Sequence, residues 1–220
     1  MSVTLEAVGH GWGDGPPLFR DVSWVFDPGS LTALVGPSGS GKSTLLSIVA
    51  GMLRPAEGQV HRSGAERALW VFQNPHGVAR RRALDHVALP LVARGSARRE
   101  ADIRAREVLE RFGLQRRADA LFEELSGGEA QRLMLARAFA SAPDLMLIDE
   151  PTAQLDRVTA GEVNSAIAAL AASGTVVVVA THDEGTRDAC AAVLDLAAFR
   201  LATAWRPDRA SEGSRAGGMA

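Results

Sequence analysis

The sequence predicts an α/β protein: a parallel sheet flanked by helices, with a β-rich edge at the start and a helical lobe inserted midway. Three observations predict it. Short continuous apolar runs at Leu31–Val35, Leu69–Phe72, Leu145–Ile148 and Val176–Val179 alternate with helical stretches, as strands buried on both faces of a parallel sheet do. A glycine-rich loop follows the first run and leads into a helix at Thr44–Ala50. Residues 80–125 are charged and helical in character, with no β-branched run.

Each part has its own local signal. Met1 to Val8 alternates like a strand, and residues 3–35 are punctuated by Gly13-Asp14-Gly15-Pro16-Pro17 and Asp27-Pro28-Gly29, as in a β-rich edge. The start lacks the charged-then-apolar layout of a signal peptide. The longest apolar stretch, Ala166 to Ala180, is interrupted by Ser173-Gly174-Thr175, so no membrane span is expected. A formal net charge of −2 gives no global signal for polyanion binding. The single cysteine, Cys190, excludes an internal disulfide and reads as a packing residue. The tail 206–220, rich in Gly, Ser, Arg and Ala, is expected to be disordered.

Of 24 basic Lys and Arg residues, one is lysine, Lys42, within Gly36-Pro37-Ser38-Gly39-Ser40-Gly41-Lys42-Ser43-Thr44. Lysine is a compact charge on a thin stem, suited to entering a phosphate cage as arginine's planar fork is not. The pattern G-x-x-x-x-G-K-[ST] is a P-loop. Its glycines let amides curl around phosphates, Lys42 reaches the β/γ oxygens, and Ser43 ligates Mg²⁺. The flanking strand and helix are the context that motif requires.

Two further segments carry chemistry. The run at 145–148 ends in Asp149-Glu150-Pro151, which puts two carboxylates at the carboxyl edge of the sheet, where ligands bind in open α/β folds. Asp149 is placed to hold Mg²⁺ through water, and Glu150 to polarise the water attacking a γ-phosphate. The plain alternative is an acidic turn closed by proline. Leu125-Ser126-Gly127-Gly128-Glu129 reads as a capping box that starts a helix over 127–141. A cap does not need two glycines, each costing roughly 1 kcal/mol in a helix. Ser126 and the amides of Gly127 and Gly128 can therefore also clamp a phosphate, one held by another subunit since this chain's own nucleotide has its P-loop.

The ordered set of Gly36–Thr44, Gln73, Leu125–Glu129, Leu147–Glu150, Gln154-Leu155-Asp156 and His182 resembles the ATP-binding-cassette (ABC) ATPases over about residues 3–200. The resemblance implies a P-loop NTPase core, an N-terminal antiparallel β subdomain and the helical lobe, all in one domain over 1–205. It implies ATP and Mg²⁺ as ligands, and a head-to-tail dimer, expected to be a homodimer, with each ATP between one P-loop and the other subunit's Ser126–Glu129. A separate membrane-spanning permease is the implied partner, with the chain peripheral on the cytoplasmic side of the cell membrane and no direct nucleic-acid contact. Gln73 then touches Mg²⁺ and reports on the permease, His182 contacts the γ-phosphate, and Asp156 communicates across the dimer. A soluble ABC-type ATPase of metal-cluster assembly, or one acting on nucleic acid or the ribosome, is the rival reading. A P-loop kinase of another family leaves Ser126–Glu129 and His182 unexplained.

The chain also departs from the family pattern. It has no tyrosine to stack on adenine, and Trp12 in a glycine-rich loop is the natural substitute. Trp24 alternates with Val22 and Phe26 and reads as core. After Gln73, where many relatives carry apolar groove residues, the chain has Asn74 to Arg82 with Arg80-Arg81-Arg82. Residues 83–91 return to a pattern similar to the lipoprotein-release and macrolide-export branch. Residues 79–117 hold eleven arginines against five acids. Two readings stand for them: a solvated face with i,i+4 ion pairs such as Glu107–Arg111, or a surface meeting an acidic coupling segment or anionic headgroups.

Overall fold

The computed structural model describes residues 2–13, 15–64, 67–153, 155–172 and 174–199. The predicted tail lies outside them, as does Gln154. Strands β1 (Ser2–His10) and β2 (Phe19–Phe26) are followed by β3 (Leu31–Val35), α1 (Lys42–Ala50), β4 (Glu57–Ser63) and β5 (Ala68–Val71). The lobe contributes α2 (Ala83–Ala93) and α3 (Arg98–Arg111), then single 3-10 turns at Gln115–Arg117 and Phe122–Glu124. The chain returns through α4 (Gly127–Ala140), β6 (Leu145–Asp149), α5 (Arg157–Ala171), β7 (Val176–Ala180), α6 (Glu184–Asp188) and β8 (Ala192–Asp195).

Two sheets form. One is antiparallel in the order β2-β1-β4, and the other is parallel in the order β5-β6-β7-β3-β8. The strand β3, at the end of the β-rich edge, thus joins the parallel sheet, and β4 completes the antiparallel one. Nothing in the sequence announces β4, because its side chains are exposed or half-buried along its length and carry no alternation.

The inner parallel strands β6 and β7 are apolar almost throughout because each face packs on a separate core. Leu145, Leu147, Val176 and Val178 point to a cluster shared with α1 and the antiparallel sheet. Their neighbours Met146, Ile148, Val177 and Val179 point to the cluster shared with α2, α3, α4 and α5. The register of β6 on β7, Leu145 opposite Val176 through Asp149 opposite Ala180, carries this two-faced burial across the sheet and brings Asp149 to its carboxyl edge.

The lobe folds onto the second cluster for ordinary amphipathic reasons. Helix α3 buries Ala101, Ala105 and Leu109 at helical spacing and turns its arginines outward. The ion pairs there include Arg98–Asp102 and Arg104–Glu100 at i,i+4, with Arg98 also on Asp85 and Arg106 on Asp119. The expected Glu107–Arg111 pair is not the one Arg111 makes: its guanidinium lies 4.8 Å from the Phe139 ring centroid and donates to the Ala169 carbonyl at 2.9 Å. A hydrogen bond and a ring face outcompete an exposed carboxylate.

Candidate functional site

The loop after β3 is shaped by its glycines. Gly36 and Gly41 have φ of 146° and 94°. A Cβ at Gly36 would lie 2.7 Å from Ser40 Oγ, and one at Gly41 would lie 2.9 Å from the Phe19 ring. A side chain at either position would collide with these neighbours and strain the backbone that the loop needs. Helix α1 begins directly at Lys42 with no side-chain cap, leaving its first-turn amides to meet an anion at the positive end of the helix. Lys42 Nζ spans the loop and donates to the Gly36 carbonyl at 2.9 Å.

Ser43 Oγ donates to Asp149 Oδ2 at 2.8 Å, joining residues 106 apart in sequence. Burial raises the Asp149 carboxyl above its ordinary value and the neighbouring Glu150 adds to this, while the Ser43 bond and Lys42 oppose it. A hydroxyl and a carboxylate strained by burial beside a second carboxylate form an all-oxygen set that a cation relieves, and they fit Mg²⁺.

Glu150 follows β6 with φ of 46°, unusual for a residue with a side chain. Its amide donates to the Ala180 carbonyl at 2.8 Å, which fixes the turn to the end of β7. Its Oε2 lies 2.8 Å from His182 Nδ1 and accepts from the His182 amide at 3.3 Å. The His182 side chain is 68 % exposed against 15 % for Glu150, so the imidazole faces the open site. Gln73, exposed after β5, borders a cleft it shares with Glu150 and Gly127.

At α4 the capping box is present. Ser126 Oγ accepts from the Glu129 amide at 3.3 Å, and Glu129 Oε2 accepts from the Ser126 amide at 2.9 Å. The two glycines differ. A Cβ on Gly128 would collide with Thr159 Cγ2 at 2.0 Å, whereas Gly127 is exposed, with only Leu155 at 4.0 Å. Close helix packing therefore explains Gly128, and open approach explains Gly127. Asp156 caps α5, accepting from the amides of Val158 and Thr159 and from Thr159 Oγ1 at 2.6 Å, and these bonds hold its carboxyl low.

Trp12 is 60 % exposed and sits edge-on to His10, ring centroids 4.8 Å apart. Leu18 and Phe19, at the far end of its loop, lie against Gly41, which sets that loop beside the P-loop. Trp24 is half-buried against the core, as the alternation predicts. A separate, largely apolar groove of about 480 Å³ lies between β5 and the lobe, lined by Trp70, Phe72, Leu89, Pro90, Met134 and neighbours. Arg137 lines the groove; in the Arg80-Arg81-Arg82 cluster, Arg82 pairs with Asp85 and Asp119, while Arg80 and Arg81 make no ion pair among the described residues. Two features of α4 carry no local sequence signal: the pairing of Glu129 with Arg117, and the burial of Gln131.

The ABC transporter family model matches residues 19–153. The lipoprotein-releasing system ATP-binding protein LolD of Chromohalobacter salexigens is 43 % identical over 173 residues, covering 71 % of this chain and 73 % of the relative. The macrolide export ATP-binding/permease protein MacB of Rhodopseudomonas palustris is 35 % identical over 192 residues, which are 80 % of this chain and 29 % of that longer protein. A solved dimeric ATP-binding cassette in a post-hydrolysis state with ADP and Pi superposes with TM-score 0.74 at 30 % identity, covering 90 % and 94 % of the two chains. Among the described residues no helix is long and apolar enough to cross a membrane. With P-loop, paired carboxylates and capped glycine segment on the matching fold, the chain belongs to the ABC transporter family of ATP-binding, ATP-hydrolysing subunits.

Proposed function

We propose that the chain is the peripheral ATPase of a transporter of the lipoprotein-release and macrolide-export kind. It acts on the cytoplasmic face of the cell membrane as a head-to-tail dimer on a separate membrane-spanning permease. In this reading residues 1–205 form one ATPase domain with the lobe inserted. The observation that carries the proposal is the meeting of Glu150 with His182 at 2.8 Å, beside the Ser43–Asp149 bond.

Each side chain then has a task. Trp12 stacks on the adenine. Residues Gly36 to Thr44 wrap the phosphates with backbone amides and the hydroxyls of Ser38 and Thr44, Ser40 contributing through its backbone because its hydroxyl is buried, and Lys42 balances the β/γ charge. Ser43, Asp149 through water, and Gln73 hold Mg²⁺, which when bound supplies positive charge to the phosphate oxygens. Glu150 takes a proton from the attacking water as its oxygen bonds the γ-phosphorus and the bond to ADP breaks. His182 orients Glu150 and the γ-phosphate. Ser126, Gly127, Gly128 and Glu129 close over the partner subunit's ATP, and Asp156 meets the opposite subunit. The groove beside β5 receives a segment of the permease, which is how dimer closure reaches the membrane.

Reconstitution with a candidate multi-span permease of the same cell tests the transport role. The permease should bind the chain in detergent and change its ATPase rate. Full ATPase with no association would favour the soluble ATPase instead.

A further inference from the structure

Glu150 and His182 are joined by more than their 2.8 Å contact. Two residues past Glu150, the Thr152 hydroxyl lies 2.9 Å from Thr186 Oγ1. Thr186 Oγ1 in turn donates to Asp183 Oδ2 at 2.9 Å and to Asn164 Oδ1 at 3.0 Å. The Thr186 amide donates to the same Asp183 oxygen at 2.7 Å. Asp183 is the chain neighbour of His182. The path therefore closes on itself: along the chain from Glu150 to Thr152, across to Thr186 and Asp183, along the chain to His182, and back to Glu150. Thr152 and Thr186 are 5 % and 2 % exposed. A threonine hydroxyl has one proton, and a carboxylate or amide oxygen can only accept. The Thr186 proton is shared between Asn164 and Asp183, so Thr152 must be the donor to Thr186. Both buried hydroxyls are partnered, and a satisfied buried network holds its members in one arrangement.

We propose that Thr186 is a positioning residue for hydrolysis, the hub of a brace that sets the contact between Glu150 and His182. The inference rests on the reading of that pair as the groups acting on water and γ-phosphate. Strands β6 and β7 are in register as far as Asp149 opposite Ala180, and beyond that the ladder no longer fixes the two turns. The Glu150 amide, bonded to the Ala180 carbonyl, holds the near ends of the turns. The hydroxyl bridge from Thr152 to Thr186 holds their far ends. Helix α6 is only five residues long, so the His182 turn relies on this bridge and on the Asp183 cap for its position. Through Asn164 the same hub reaches α5, the helix that Asp156 caps.

The test uses the full chain with Thr186→Val, which keeps the branched shape but removes the hydroxyl, and Thr186→Ser, which keeps it. ATPase is measured well below the melting temperature of each variant. Thr186→Val should melt lower than wild type, because Thr152 and Asn164 lose a buried partner. It should lose on the order of tenfold in kcat with KM within about twofold of wild type, since the geometry of attack is disturbed and nucleotide binding is not. Thr186→Ser should recover most of the kcat. In a double-mutant cycle His182→Ala should lower kcat, and adding Thr186→Val should then cost less than about twofold more, because the contact set by the brace is already gone. Wild-type kcat in a less stable Thr186→Val would reduce the brace to packing and overturn the proposal. A Ser variant as impaired as Val would also overturn it, as would an undiminished further loss on top of His182→Ala. If Thr186→Val does not fold, Thr152→Val removes only the outer hydroxyl of the bridge. Reduced kcat with unchanged KM in that variant would support the proposal, and wild-type kcat would overturn it. Wild-type turnover in His182→Ala itself would remove the reading of the Glu150–His182 pair, independently of Thr186.

Discussion

Arg117 grips Glu129 with two hydrogen bonds, Nε to Oε1 at 2.8 Å and Nη2 to Oε2 at 3.0 Å, and Nη2 also reaches the Glu124 carbonyl at 3.3 Å. The glutamate that closes the capping box is therefore anchored to the lobe. A fork-to-fork pair fixes direction as well as distance, so the first turn of α4 is aimed by a residue outside it.

Arg117→Ala should leave monomeric ATP binding intact, because the P-loop is untouched. It should reduce ATP-dependent dimer formation on the order of fivefold. The Arg117 hydrogen bond, with help from Ser126, holds the Glu129 carboxyl below its ordinary 4.5. A depressed acid stabilises the fold above its unfolded value and loses that contribution as pH falls through the folded one, so the anchor should persist across neutral pH. Sedimentation with ATP at neutral pH checks this. An unchanged dimerisation constant would contradict it.

His86 in α2 is 2 % exposed, accepts from the Val78 amide at Nε2 (3.0 Å) and contacts the Arg82 carbonyl through Nδ1 at 2.9 Å. That pattern requires the neutral ring with its proton on Nδ1. Burial pushes its pKa down, the Arg82 carbonyl opposes this, and the charges of Arg81 and Arg137 add to the depression. The stabilisation from neutral His86 is full above the unfolded value of ~6.5 and is lost as pH falls through the lower folded value. Its imidazole should titrate by NMR with a midpoint below ~6.5. A midpoint above that value would refute the arrangement.

Arg80 and Arg81, without an ion-pair partner among the described residues, are the arginines of the cluster open to an acidic partner. Changing both to Ala should leave basal ATPase of the isolated chain nearly intact. Association with the permease should weaken, most at low salt. Association equal to wild type at every salt concentration would return both residues to a solvated face.

Ser126→Arg places bulk and charge on the exposed first turn of α4. Nucleotide binding by the monomer should match wild type, and dimerisation with ATP should fail. A loss of monomer affinity like that of Lys42→Ala would put Ser126 in the chain's own pocket.

The parallel strands were legible because burial on both faces leaves continuous apolar runs, as in Val176–Ala180. The capping box was legible because its two partners are three residues apart. Boundaries shifted where exposure ends a strand: Phe72, assigned to β5 from its apolar character, lies beyond it at 57 % exposure. β4 and the short β8 and α6 carried little pattern, since β4 is an edge strand with polar side chains on both faces. The P-loop, Asp149-Glu150 and Ser126–Glu129 were readable because backbone chemistry fixes their spacing. Contacts made across the fold were not. The Arg117–Glu129 bonds and the burial of Gln131 depend on how the lobe settles on the sheet, and no local rule encodes that.

Turnover and ATP-dependent dimerisation of Glu150→Gln, measured together, test the central claim most directly. The substitution preserves shape and the contact with His182 while removing the proton acceptor. ATP binding should stay near wild type, turnover should fall about a hundredfold or more, and a stable dimer should appear with ATP on a sizing column. Hydrolysis near the wild-type rate would contradict it.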